Sequence, residues 1–112
     1  MKELVLIIRP DKLEVIKEIL NVHGFTGITI SSVMGCGVQR GLTQEYKGLK
    51  TTINLLPKIK VEAVVANEKV EDILLDVHSK VATGNAGDGK VFVKPIDDAM
   101  RIRTGERGEK AL

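Results

Sequence analysis

Residues 4–20 read Leu4-Val5-Leu6-Ile7-Ile8-Arg9-Pro10-Asp11-Lys12-Leu13-Glu14-Val15-Ile16-Lys17-Glu18-Ile19-Leu20, and this stretch decides the fold. The aliphatic run Leu4 to Ile8 has strand length and no polar alternation, as expected of a strand central in a sheet or buried on both faces. Arg9-Pro10 ends it. Proline suits the first position of a helix, where its missing N–H is not needed, and Asp11 places a negative charge in the first turn. Leu13, Ile16, Ile19 and Leu20 then recur at helical spacing, with Lys12, Glu14, Lys17 and Glu18 on the other face. Gly24 is expected to close this helix.

The same plan repeats downstream. Ile28-Thr29-Ile30-Ser31-Ser32-Val33-Met34 reads as a second strand. After Pro57, Ile59, Val61, Ala63 and Val65 alternate with Lys60, Glu62 and Val64, a strand with one buried face. Asn67 is a candidate N-cap for a helix carrying Val70, Ile73, Leu74 and Val77. A glycine-rich loop leads from it into Val91-Phe92-Val93, a fourth strand. Residues 3–34 and 58–96 therefore form two βαβ units in tandem, and βαββαβ is the ferredoxin-like arrangement of the α+β class. Between the halves, Gly35 to Leu55 shows no clear periodicity and is expected to be structureless. A connection that long in so small a domain points to a functional or disordered loop.

Composition narrows the possibilities. A chain of 112 residues, 43% hydrophobic and 29% charged, is one domain's worth of soluble globular protein. With 11 glycines and only three aromatics (Phe25, Tyr46 and Phe92), the core is aliphatic and the glycines need their own explanation. Seventeen Lys and Arg against fifteen Asp and Glu is too mild a bias to argue for nucleic acid. The single cysteine, Cys36, excludes an internal disulfide and a multi-cysteine metal site. No apolar run approaches the ~20 residues of a membrane span, and the charged N-terminus does not read as a signal peptide. A cytoplasmic protein is expected.

Glycine and positive charge coincide in three segments: Gly35 to Gly41, Thr83 to Lys90 and Arg101 to Gly108. Glycines let backbone N–H groups approach an anion, and a neighbouring Lys or Arg supplies opposing charge, so the segments together suggest a phosphate or nucleotide cradle. Gly84 to Lys90 formally matches Gly-x-x-x-x-Gly-Lys, but Val91 replaces the required Ser or Thr and the loop runs from helix to strand, so it is not a P-loop. It is either an unrelated anion loop or an ordinary connector. Arg101 and Arg103 point the same way if the chain there is extended; otherwise they belong to a solvated tail. His23 and His78 near helix ends read as structural, and Cys36 as an incidental thiol, since no histidine nearby in sequence supports a nucleophile. Lys58 is either an exposed strand-end lysine or an anion ligand. No paired carboxylates form an acid/base couple. A nucleotide- or anion-sensing regulatory module leads. An RNA-binding ferredoxin-like domain needs more strand aromatics than Phe92, and a small phosphotransfer enzyme lacks an identifiable nucleophile.

At these residues the chain resembles the PII nitrogen signal-transduction proteins over essentially its whole length. The resemblance rests on Ile8-Arg9-Pro10 with Lys12-Leu13, Gly35-x-Gly37-x-Gln39-x-Gly41, Leu56-Pro57-Lys58, Thr83-Gly84 with Gly87-Asp88-Gly89-Lys90-Val91-Phe92-Val93, and the ending Ala99 to Gly108. It implies a single domain over 1–112, with a long effector loop at about 37–55, a nucleotide loop at about 82–90 and a C-terminal loop at about 98–112. It further implies a ferredoxin-like homotrimer with ATP or ADP in clefts between subunits. Gly35, Gly37, Gln39, Gly87, Gly89, Lys90, Arg101 and Arg103 match the phosphate-binding positions, and Thr29, Glu62 and Val64 flank the adenine. 2-Oxoglutarate is implied beside Mg-ATP, using Gln39 as metal ligand, Lys58 as ion-pair partner and backbone near Gly41.

The implied protein is a regulator, not an enzyme. It reaches the membrane only through a transporter and uses Tyr46, Lys47 and Lys50 of its loop to contact a target: an ammonium transporter, glutamine synthetase or nitrogenase. A PII-like nucleotide-binding regulator with another effector is the alternative. Three departures stand out. Thr51 and Leu49 replace the residues that relatives modify, so neither modification is expected. Lys47 sits where an arginine often plugs ammonium channels, and Val38 replaces a common phosphate-contacting arginine.

Overall fold

A computed structural model describes residues 1–36 and 55–112, together with the backbone of Thr43–Tyr46 and Leu49–Thr52. The elements run β1 (Lys2–Ile8), α1 (Leu13–Val22), β2 (Thr29–Gly35), β3 (Thr43–Tyr46), β4 (Leu49–Thr52), β5 (Leu56–Val65), α2 (Val70–Val81) and β6 (Gly89–Pro95). β2, β5, β1 and β6 lie side by side in that order in one antiparallel sheet, which is the ferredoxin-like topology expected.

The register explains the sequence pattern. Leu4, Leu6 and Ile8 stand opposite Ala63, Val61 and Ile59, and these residues share one face because directly opposed residues point the same way. That face takes Ile16, Ile19 and Leu20 of α1 and Val70, Ile73 and Val81 of α2 into a single aliphatic core. On the other face of the central strand, Val5 is only 5% exposed but Glu3 and Ile7 are partly exposed, so the unbroken run marks a strand central in the sheet and fully covered on its helix side alone.

Both helices are entered through one 3-10 turn, Pro10–Lys12 and Asn67–Lys69, closed by backbone bonds of Lys12 N–H to the Arg9 carbonyl (3.0 Å) and of Lys69 N–H to the Ala66 carbonyl (3.1 Å). Asn67 is therefore not a side-chain N-cap: it lies inside the lead-in turn, and α2 starts three residues later without a side-chain cap. α1 ends as Gly24 requires. Its φ of 92° is a left-handed conformation open to glycine, and it lets Gly24 N–H reach the Asn21 carbonyl (3.0 Å) and Phe25 N–H the Leu20 carbonyl (2.8 Å). This is the paired closure of a Schellman motif.

Two expectations need correction. The 35–55 connection is not structureless: β3 and β4 pair antiparallel, from Thr43 opposite Thr52 to Tyr46 opposite Leu49. A hairpin built on Thr43, Tyr46, Thr51 and Thr52 has good β-formers but no apolar stripe for a periodicity reading to find. The third strand of the ferredoxin-like plan, β5, also begins at Leu56 rather than Ile59 and contains Pro57. Proline is tolerated there because β1 stops pairing at Ile8–Ile59, so Pro57 has a strand neighbour on the β2 side alone.

Candidate functional site

The topology gathers the glycine segments at one end of the sheet. β1 ends there at Ile8, β2 ends at Gly35, and β5 and β6 begin at Leu56 and Gly89. Residues from four separate stretches of chain thereby become neighbours.

Gly35 and Lys58 fit together because Gly35 has no side chain. A Cβ on Gly35 would lie 2.9 Å from Lys58 Cγ, so the lysine stem crosses the glycine backbone. Lys58 is buried, 9% exposed, and its Nζ donates to the Gly87 carbonyl at 2.6 Å. The sequence left this lysine open between a surface residue and an anion ligand; it is an internal cation that ties β5 to the glycine loop. Gly89 is under the tightest constraint. Its φ is 108°, and a Cβ would fall 1.9 Å from the Ile7 carbonyl oxygen, so only glycine lets β6 start against β1 in this register.

Two residues without an assigned role shape the loop. Arg9 Nη2 donates to the Ala86 carbonyl at 2.8 Å, and its Nε lies 3.5 Å from Asp88 Oδ1. Asp88 accepts from the Thr83 hydroxyl, from Thr83 N–H (2.7 Å) and from Gly84 N–H (3.1 Å). The Thr83 hydroxyl, the backbone donors and the nearby Arg9 hold its carboxyl below the usual carboxylate range. An Asp flanked by glycines in a turn-rich segment was the available signal for this role. Nothing local in the sequence pairs residue 9 with residue 88.

Away from the helices, the sheet face carries a gradient of charge. The row Ser31, Lys60, Ile7, Lys90 crosses all four strands near the loop end, and Lys58 lies one row further out. Towards the other end come Thr29, Glu62, Val5 and Phe92, then Val64, Glu3 and Lys94. Thr29 is directly opposite Glu62. Both line, with Val64, Gly27, Phe25 and Leu112, a cavity of about 320 Å³. Thr29, Glu62 and Val64 are thus brought together, but not with the glycine loops. Thr29 and Gly35 are six residues apart on β2, about 20 Å at strand rise.

The C-terminal arginines are placed differently from the extended-chain expectation. Gly105 N–H reaches the Arg101 carbonyl at 2.8 Å, and Met100 bridges Arg107, so residues 101–105 form a turn. Arg101 is engaged with Glu106 Oε1 and the Leu112 carbonyl, each at 3.1 Å, whereas Arg103 is exposed. Asp98 anchors the base of this turn by accepting from Arg107 and from the N–H groups of Ala99 (2.8 Å) and Gly108 (3.2 Å). Those bonds, the Arg107 one foremost, lower its pKa. His23 Nε2 sits 2.7 Å from Asp76 Oδ2, joining the end of α1 to α2. His78 belongs to the last turn of α2, and Cys36 is exposed.

Gly37, Val38, Gln39, Gly41 and Lys47 lie outside the described residues, as do the side chains of Tyr46, Leu49, Lys50 and Thr51. Among the described residues no helix is long and apolar enough to cross a membrane.

Comparison with known proteins shows the family. Residues 1–106 match the family model for the nitrogen regulatory protein P-II. The chain is 46% identical over 112 residues to nitrogen regulatory protein P-II 2 of Methanothermobacter thermautotrophicus, covering all of this chain and 97% of the relative. It is 42% identical, over the full length of both chains, to the nitrogen regulatory proteins P-II of Cereibacter sphaeroides and Rhizobium meliloti. The chain belongs to the nitrogen regulatory protein P-II family.

Proposed function

We propose that the chain is a nitrogen-metabolism regulator that binds ATP or ADP, responds to 2-oxoglutarate, and acts by contacting a target protein through residues 37–55. The observation that carries this reading is the convergence of Gly35, Lys58, Gly87 and Gly89 at one end of the sheet. Backbone donors and cations from separate segments meet there, which is the chemistry a polyphosphate requires. Gly35, Gly87, Gly89, Lys90, Arg101 and Arg103 would take the phosphates, with Gly37 and Gln39. Thr29, Glu62 and Val64 would take the purine in the cavity they line.

A homotrimer is part of the same proposal. One chain keeps its purine-side and phosphate-side residues at opposite ends of the sheet, so a site using both needs a neighbouring copy. The sheet face without helices, bearing Val5, Ile7 and Phe92, offers the surface for it.

Lys58 would supply the charge that receives the 2-oxoglutarate carboxylate, assisted by Gln39 and the backbone near Gly41. Magnesium, held with ATP through Gln39, supplies the positive charge that lets two polyanions lie side by side. The regulated target is an ammonium transporter, glutamine synthetase or nitrogenase. Neither uridylylation nor phosphorylation of the loop is part of this reading, because Thr51 and Leu49 replace the modified residues.

Calorimetric titration with ATP and ADP, with and without 2-oxoglutarate and magnesium, tests it. Saturable nucleotide binding with magnesium-dependent uptake of 2-oxoglutarate is expected. Nucleotide binding without 2-oxoglutarate would favour a relative with another effector. No nucleotide binding at millimolar concentration, or a monomer by light scattering, would overturn the reading.

A further inference from the structure

We infer that Arg9 is a positioning residue for the glycine loop: it turns backbone donors of that loop towards an anionic ligand without touching the ligand itself. The ligand is a nucleotide phosphate on the proposed function, and to that extent the inference rests on it. A trans peptide is planar, so its C=O and N–H point in opposite directions. The Ala86 carbonyl belongs to the same peptide unit as the Gly87 N–H, and it faces Arg9 Nη2 at 2.8 Å. The Gly87 carbonyl belongs to the same unit as the Asp88 N–H, and it faces Lys58 Nζ at 2.6 Å. Each N–H therefore points away from the cation that holds its carbonyl. Neither donates a hydrogen bond to another group among the described residues. Two successive amides without an internal acceptor are the elements of an anion-binding nest.

Arg9 does a second thing that Lys58 does not. The Asp88 carboxylate lies beside these amides, and a negative charge there opposes an incoming anion. Arg9 sets its guanidinium 3.5 Å from Asp88 Oδ1, while Thr83 and Gly84 occupy the carboxylate with donors from the far side of the loop. Arg9 Nε is buried and donates no hydrogen bond among the described residues, so its hold on Asp88 there is one of charge. One forked guanidinium thus serves two acceptors two residues apart, which the point charge of a lysine cannot do at once.

The test uses Arg9→Ala and Arg9→Lys in the full chain. Amide NMR spectra of the ligand-free proteins read loop geometry, and titrations with ATP and with adenosine read its consequence. Arg9→Ala is expected to shift or broaden the Gly87 and Asp88 amide signals and to weaken ATP binding about tenfold, the equivalent of one charge-assisted hydrogen bond. Adenosine affinity and the thermal midpoint should stay as in the unaltered protein, and Arg9→Lys should recover part of the ATP loss. Unmoved Gly87 and Asp88 amides, or ATP affinity within about twofold of the unaltered protein, would overturn the inference. An equal loss for adenosine and ATP would overturn it too, by showing a general structural role. If the unaltered protein binds no ATP, the nucleotide reading fails, while the amide spectra still decide whether Arg9 orders the loop.

Discussion

Replacing Gly89 by alanine puts the start of β6 to a quantitative test. The new Cβ would lie 1.9 Å from the Ile7 carbonyl oxygen, and Cβ atoms essentially never come within 3.0 Å of a neighbour. β6 must therefore retreat from β1 by 3.0 − 1.9 = 1.1 Å or more. A retreat of that size takes a ladder hydrogen bond of about 2.9 Å to about 4 Å, where it no longer counts as one. Breaking one or two such bonds costs about 0.5–1.5 kcal/mol each. The left-handed φ of 108° adds about 1–2 kcal/mol for a residue with a Cβ. The sum is about 1.5–5 kcal/mol, a large share of the roughly 5–15 kcal/mol that holds a domain together.

Urea and thermal unfolding at fixed protein concentration measure this loss. At about 4 °C per kcal/mol for a chain of this size, the midpoint should fall by roughly 6–20 °C. Gly35→Ala is the control. Its Cβ would meet Lys58 Cγ at 2.9 Å, the stem of a flexible side chain, and its φ is not left-handed. Relieving that contact moves the base of the Lys58 side chain and displaces its Nζ from the Gly87 carbonyl, so a loss is expected, but one smaller than for Gly89→Ala. A loss below about 1 kcal/mol for Gly89→Ala, or a larger one for Gly35→Ala than for Gly89→Ala, would refute the account of how the loop meets the sheet.

Three further outcomes follow from the site. Lys58→Met keeps the stem across Gly35 but removes the donor to the Gly87 carbonyl; calorimetry should show 2-oxoglutarate uptake lost and ATP binding weakened about as much as by Arg9→Ala. Glu106→Gln removes the charge that occupies Arg101. Unfolding free energy should change by less than about 0.5 kcal/mol, as for any exposed ion pair, while ATP binds more tightly in titration. Asp76, Asp88 and Asp98 all have lowered folded pKa values. Their contribution is complete above the unfolded value of about 4 and is lost as pH falls through the lower folded values. A thermal midpoint followed from neutral pH should therefore hold until about pH 4 and drop below it, and Asp88→Asn should flatten that drop.

The backbone plan was legible because aliphatic positions report which face of a strand or helix is buried. Leu4 to Ile8 marked the central strand, and Ile59 to Val65 an alternating one. Hidden features had no apolar signature. The β3–β4 hairpin is polar, and the 3-10 lead-in at Asn67 is closed by backbone alone. At the site, the glycine loops and Lys58 were legible as residue types, but their neighbours were not. Arg9 and Asp88 are 79 positions apart, and only the β1–β6 register brings them together. The turn at 101–105 rests on a closure between Arg101 and Gly105 that a two-residue spacing rule between arginines ignores.

The Lys58–Gly87 bond carries a consequence for sensitivity. Any carboxylate that recruits Lys58 displaces an acceptor the protein already provides, so observed affinity is the intrinsic affinity multiplied by the fraction of time the lysine is released. A bond favoured by about 1 kcal/mol lowers that affinity roughly sixfold. If Lys58 receives an effector carboxylate as proposed, the strength of this one internal hydrogen bond sets the concentration at which a response begins, and substitutions around Gly87 would move that set point without altering a single contact to the effector.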